Sequence, residues 1–181
     1  VIDLLIAHHI DANRAYHDRA IEELTALCAW SRWVSPAAQT EADIVTAEAA
    51  VAAVLALDWL WEDLSQPQRI RVERTVVQKA LEPYLRSLEE GTWWYHSCTA
   101  WNAVINGGVA LAAAALKDGL ARQPAGAYEA ARKGLEHFFN GLGREGGWDE
   151  GVGYWAYAMR YILLAAEGIN RLEDDQSLLH H

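Results

Sequence analysis

Two stretches of this chain carry side chains suited to chemistry. The first, TWWYHSCTAWN (Thr92–Asn102), holds Trp93, Trp94, Tyr95, His96, Trp101 and Asn102. The second, EGGWDEGVGYWAYAMRY (Glu145–Tyr161), holds Trp148, Glu150, Tyr154, Trp155, Tyr157 and Arg160 among repeated glycines. Glycine on that scale loosens a regular element, yet the second half of this stretch reads as a helix. A flat indole or phenol ring matches the apolar face of a pyranose, and its N–H or O–H satisfies a sugar hydroxyl. Nine tryptophans are more than packing alone requires. The two stretches therefore read as the lip of a saccharide-binding cleft.

Other constellations are weaker. His8, His9 and His17 have a helical spacing of sorts but no fourth ligand, so no metal is assigned. Cys28 and Cys98 make neither a disulfide framework nor a metal pattern. Paired carboxylates, Asp58 or Glu62 with Asp149 or Glu150, form a second candidate chemistry, that of an inverting glycosidase. The formal net charge of -10 argues against nucleic acid and anionic membranes as partners. An acidic ligand must then be held by local cations. No segment reaches the length of a membrane span. The chain opens at Val1 without methionine and reads as a mature form or an excised piece; His180–His181 reads as a ragged end or tag remnant.

Alanine abundance and only four prolines favour helix. Residues 66–88 and 126–142 are amphipathic, the first with Ile70, Val77, Leu81, Tyr84 and Leu88 on one stripe. Ser65 and Pro67 mark a helix start, and Pro83 is expected to bend or end that helix early. An earlier helix, about 4–29, is mixed in character. Residues 42–64 and 101–117 are apolar nearly all round, 154–172 carries two coexisting apolar stripes, and all three are expected to be buried on every side. The order is thus outer, inner, outer, inner, outer, inner: an all-α array of about three antiparallel hairpins. Both aromatic stretches join an outer helix to an inner one, so both should lie at the same end of the array. Asn106–Gly107–Gly108 reads as close helix packing through small residues.

TAWNAVINGGVALAAAAL (Thr99–Leu116) followed by GGWDEGVGYWAYAMRYILLAAEGI (Gly146–Ile169) resembles the helical domain of the heparinase II/III-type polysaccharide lyases. ALDWLWEDLSQPQRIRVE (Ala56–Glu73) is similar to another stretch of that family. The resemblance implies an incomplete (α/α) toroid spanning 1–181 as a single partial domain, without the family's C-terminal β-sandwich, so this portion alone is expected to be inactive. Ends of such an arc leave apolar surface open, so the chain is expected to belong to a longer protein or to pair with itself. The resemblance further implies a periplasmic or secreted enzyme that cleaves an acidic polysaccharide, glycosaminoglycan- or alginate-like, by β-elimination with no metal or cofactor.

Such a reaction needs a donor that neutralises the uronate carboxylate and a group that moves the C5 proton. Carried onto this chain, Tyr154 is the leading candidate for proton transfer and Tyr157, one turn on, its substitute. Asn102 or His96 would neutralise the carboxylate, and Arg160 would lower the phenol pKa. Trp93, Trp94, Trp101, Trp148, Trp155, Arg160 and Glu150 would bind substrate. The family's Asn–Trp–Asn is Ala100–Trp101–Asn102 here, so the first asparagine is missing. A toroidal glycoside hydrolase and a non-catalytic carbohydrate-binding scaffold are the alternatives.

Overall fold

In the computed structural model, which describes residues 1–180 and side chains as far as Leu178, the regular elements are helical. The side chains of the His180–His181 end lie outside the described residues. Helices α1 (Ile2–Asp11) and α2 (Arg14–Ala29) replace the single helix expected over 4–29. Ala12 turns left-handed (φ 52°), and the Asn13 side chain accepts a hydrogen bond from the Ala15 N–H at 3.0 Å. A capping asparagine thus restarts the chain where periodicity alone ran on.

Helix α3 (Ile44–Trp59) starts from a capping box, Asp43 with Thr46, and stops short of the expected 64. Helix α4 (Gln66–Val76) runs through a π turn at Val77–Leu81 into α5 (Glu82–Glu90). Pro83 does not end the helix early. The wider π turn absorbs the missing proline N–H, and the helix continues for another two turns. Helices α6 (Ala100–Ala115), α7 (Ala127–Asn140) and α8 (Gly151–Glu173) follow.

The fold is built around α6, where every residue from Asn102 to Ala114 is buried. Helices α3 and α8 flank it, and α7 covers it from behind. The two glycines in its middle set these distances. A Cβ on Gly108 would come within 2.9 Å of the Ala47 Cβ on α3; one on Gly107 would meet the Tyr161 carbonyl of α8 at 3.1 Å. Leu111, further along α6, meets Gly168, further along α8. The flanking helices therefore run parallel to α6, and all three begin at one end. Behind them the Tyr84 hydroxyl of α5 donates to Asn106 Oδ1 at 2.7 Å in the buried core. Phe138 and Leu135 of α7 complete the packing.

Helix α8 departs from expectation. It buries one stripe, Ala158, Tyr161, Ile162, Ala165, Ala166 and Ile169, while Tyr154, Trp155, Leu163 and Leu172 are exposed. An apolar helix is buried all round only where neighbours cover both sides; among the described residues α8 has its main neighbour, α6, on one side.

Candidate functional site

The two aromatic elbows meet at the end where α6 and α8 begin. The Trp148 indole N–H donates to the Cys98 carbonyl at 2.7 Å, and Glu150 Oε2 accepts from the Ala100 N–H at 2.7 Å. A carboxylate on the first turn of a helix satisfies a free N–H and opposes the positive end of its dipole. Glu150 therefore ties the start of α6 to the elbow that precedes α8. Trp148 also packs edge-on against Phe138, with ring centroids 5.2 Å apart. Trp155 donates its Nε1–H to the Gly146 carbonyl at 3.1 Å. Gly146 and Gly151 take φ of 77° and 83°, which a residue with a side chain adopts only under strain. The glycines of this stretch let the elbow fold back on its own helix.

The other predicted residues divide between surface and interior. Trp93 is exposed and lies against half-buried Trp101, centroids 5.2 Å apart and planes tilted by 49°. Both line a depression of about 380 Å³ shared with Gln39, Thr40 and Asp43 ahead of α3. His96 is exposed, and its Nδ1 sits 3.2 Å from Nε2 of His137 on α7. Tyr154 is exposed on the first turn of α8, and Arg160 is exposed two turns later.

Two expected site residues are sealed away from solvent. Trp94 is fully buried against Tyr84, centroids 5.7 Å apart, so it is core and offers no stacking face. Asn102 is also fully buried, its Nδ2 donating to the carbonyls of Tyr95 (2.6 Å) and Gly134 (3.0 Å). Its amide holds the first elbow against α7 and does not reach a ligand.

Tyr157 leads to a residue that sequence reasoning missed. Its hydroxyl donates to Glu48 Oε1 on α3 at 2.7 Å, and Tyr161 approaches the same oxygen at 3.4 Å. Burial first, then the bond to the Glu48 carboxylate, push the Tyr157 phenol far above its ordinary value. Arg160 pulls the other way but is outweighed, contrary to the expectation that it would lower the phenol. Tyr161 is pushed up to about 12, again chiefly by burial. The signal for Glu48 was present: with Asp58 it is one of only two charges in the alanine-rich sequence of α3.

Below this cluster a groove of about 670 Å³ runs between α3 and α8 with Leu111 and Ala115 of α6 as its floor. Asp58, Trp59, Trp61, Arg160, Leu163 and Leu164 are among its walls. The Arg69 guanidinium stacks 4.3 Å from the Trp61 ring centroid. Asp58 stands near the far end of α3, whereas Asp149 and Glu150 precede α8, so the two carboxylate sets lie at opposite ends of parallel helices. Among the described residues no group of three or more histidines, cysteines or carboxylates could hold a metal, and no helix is long and apolar enough to cross a membrane.

The raised phenols fix an alkaline signature. Tyr128, bonded to Glu173, is also pushed up to about 12, by burial first. The native state holds these protons more tightly than the unfolded chain, whose phenols titrate near about 10. The resulting stability is complete below that value and is lost as pH rises through about 12. A phenolate-absorbance titration is expected to show these two tyrosines ionising late, together with alkaline unfolding. Ionisation of every tyrosine near the ordinary value in a folded chain would contradict it.

Fold and site together define an all-α protein with an aromatic, charged rim above an apolar groove. Scanned against known protein families the chain matches no family model, and no curated protein matches it.

Proposed function

We propose that this chain is the helical, partial (α/α)-toroid portion of a polysaccharide lyase of heparinase II/III type. It acts on a uronic-acid-containing polymer, glycosaminoglycan- or alginate-like, by metal-independent β-elimination. The observation that carries the reading is the phenol of Tyr157, held against Glu48 and close to Arg160, which itself lines the apolar groove. A hydroxyl whose proton already has an acceptor, beside a cation that attracts a uronate, has the parts that proton transfer at C5 requires. Tyr157 is the better placed phenol; Tyr154 stands in solvent. With Asn102 buried, neutralising the carboxylate falls to Arg160 or His96.

The burial of Asn102 favours one competing reading, a scaffold that binds saccharide without turning it over. The test is to incubate the whole protein, this helical portion together with the domain that completes the cleft, with uronate polymers and follow the ultraviolet absorbance of the C4=C5 unsaturated product. Growth of that band is expected. New reducing ends without the band favour a hydrolase, and binding without either product favours the scaffold.

A further inference from the structure

We propose that Glu48 is the proton-holding partner of Tyr157, a positioning residue through which the phenol works; this rests on the elimination reading above. A free tyrosinate is disfavoured at this position, because burial and a neighbouring carboxylate both oppose the second negative charge. Tyr157 can therefore act as a base only if its own proton leaves as the substrate proton arrives. Glu48 Oε1, at 2.7 Å, is placed to accept it. Glu48 is itself exposed at the surface, so the cluster is open to a ligand. Tyr161, approaching the same oxygen from the next turn, holds the carboxylate in place.

The proton count closes. The C5–H bond breaks, its proton goes to the Tyr157 oxygen, and the phenol proton moves to Glu48. The C5–H electron pair becomes the C4=C5 bond, and the C4–O4 bond breaks with its pair on O4. The Glu48 proton then returns to Tyr157, which passes one to O4. Both residues end as they began, and the C5 proton has been delivered to the leaving group. One glutamate thus serves as acceptor and as reservoir, and only its ionised form can begin the cycle.

Glu48→Gln keeps the size and an oxygen acceptor but cannot take up the proton. It is expected to lower kcat by ~100-fold with little change in KM, and to erase the acidic limb of the kcat/KM profile. Glu48→Asp, which keeps a carboxylate, is expected to retain that limb and recover part of the rate. The double variant with Tyr157→Phe should be no slower than Tyr157→Phe alone, because the two residues act in one step. A Glu48→Gln protein with wild-type kcat and an unchanged acidic limb overturns the relay and leaves the lyase reading standing. A whole wild-type protein, with the domain that completes the cleft, that yields no unsaturated product from any uronate polymer overturns both. Thermal melts of each variant separate a folding defect from a loss of proton transfer, and a defect shared by Glu48→Gln and Glu48→Asp counts against the relay.

Discussion

Tyr157→Phe is expected to slow formation of the unsaturated product by ~10²–10⁴-fold, the range for loss of a positioned acid–base group. The substitution removes one oxygen from a half-buried ring and leaves the packing of α8 against α6 untouched. It deletes the hydrogen bond to Glu48, but that carboxylate is exposed and water can take the phenol's place. The stability cost should accordingly stay within about 1 kcal/mol. Activity and stability therefore separate, and initial rates beside a thermal melt read both. Tyr154→Phe is the control on the same helix: its exposed ring has no hydrogen-bond partner that ties it to Glu48, and its effect is expected to be far smaller. A large loss in Tyr154→Phe with a normal Tyr157→Phe would move the chemistry to the rim and end the case for the inner cluster.

Asn102→Ala is expected to destabilise the fold by about 2–4 kcal/mol, because a buried donor is lost and a gap remains. The Tyr95 and Gly134 carbonyls both lose the Asn102 amide, and no solvent reaches the site to replace it. The first elbow, held to α7 through this amide and through the Tyr95 hydroxyl bond to the Ala130 carbonyl, should loosen. At this chain length the melting midpoint falls by roughly 5–15 °C. Turnover per folded molecule, measured well below the midpoint, should change much less than in Tyr157→Phe. A stable Asn102→Ala protein with abolished turnover would restore the asparagine to the catalytic role that the family resemblance gave it.

Much of the architecture could be read from periodicity. The alternation of amphipathic and apolar segments placed α3 and α8 beside α6, although α8 keeps an exposed face that the pattern did not foresee. It also placed the joints that lead into α6 and α8 at a common end, where Trp148 and Glu150 bond to Cys98 and Ala100. Gly107 and Gly108 were legible as close-packing positions because a helix whose middle lacks side chains can only serve near approach. Misreadings fell where a local device competed with the period. Asn13 capped a new helix inside an apparently continuous one, and a π turn carried the chain past Pro83.

The amino-acid sequence by itself determined the helical class, the burial of α6 and the convergence of two aromatic elbows. These follow from the spacing of apolar residues along each segment, a property local to the chain. Only the tertiary structure decided that Trp94 and Asn102 point inward and that Tyr157 finds a carboxylate 109 residues earlier. Periodicity reports the face a residue takes about its own helix axis. Which neighbour that face meets depends on how far each helix is rotated and slid against the next, and the close approach at Gly107 and Gly108 fixes that in three dimensions.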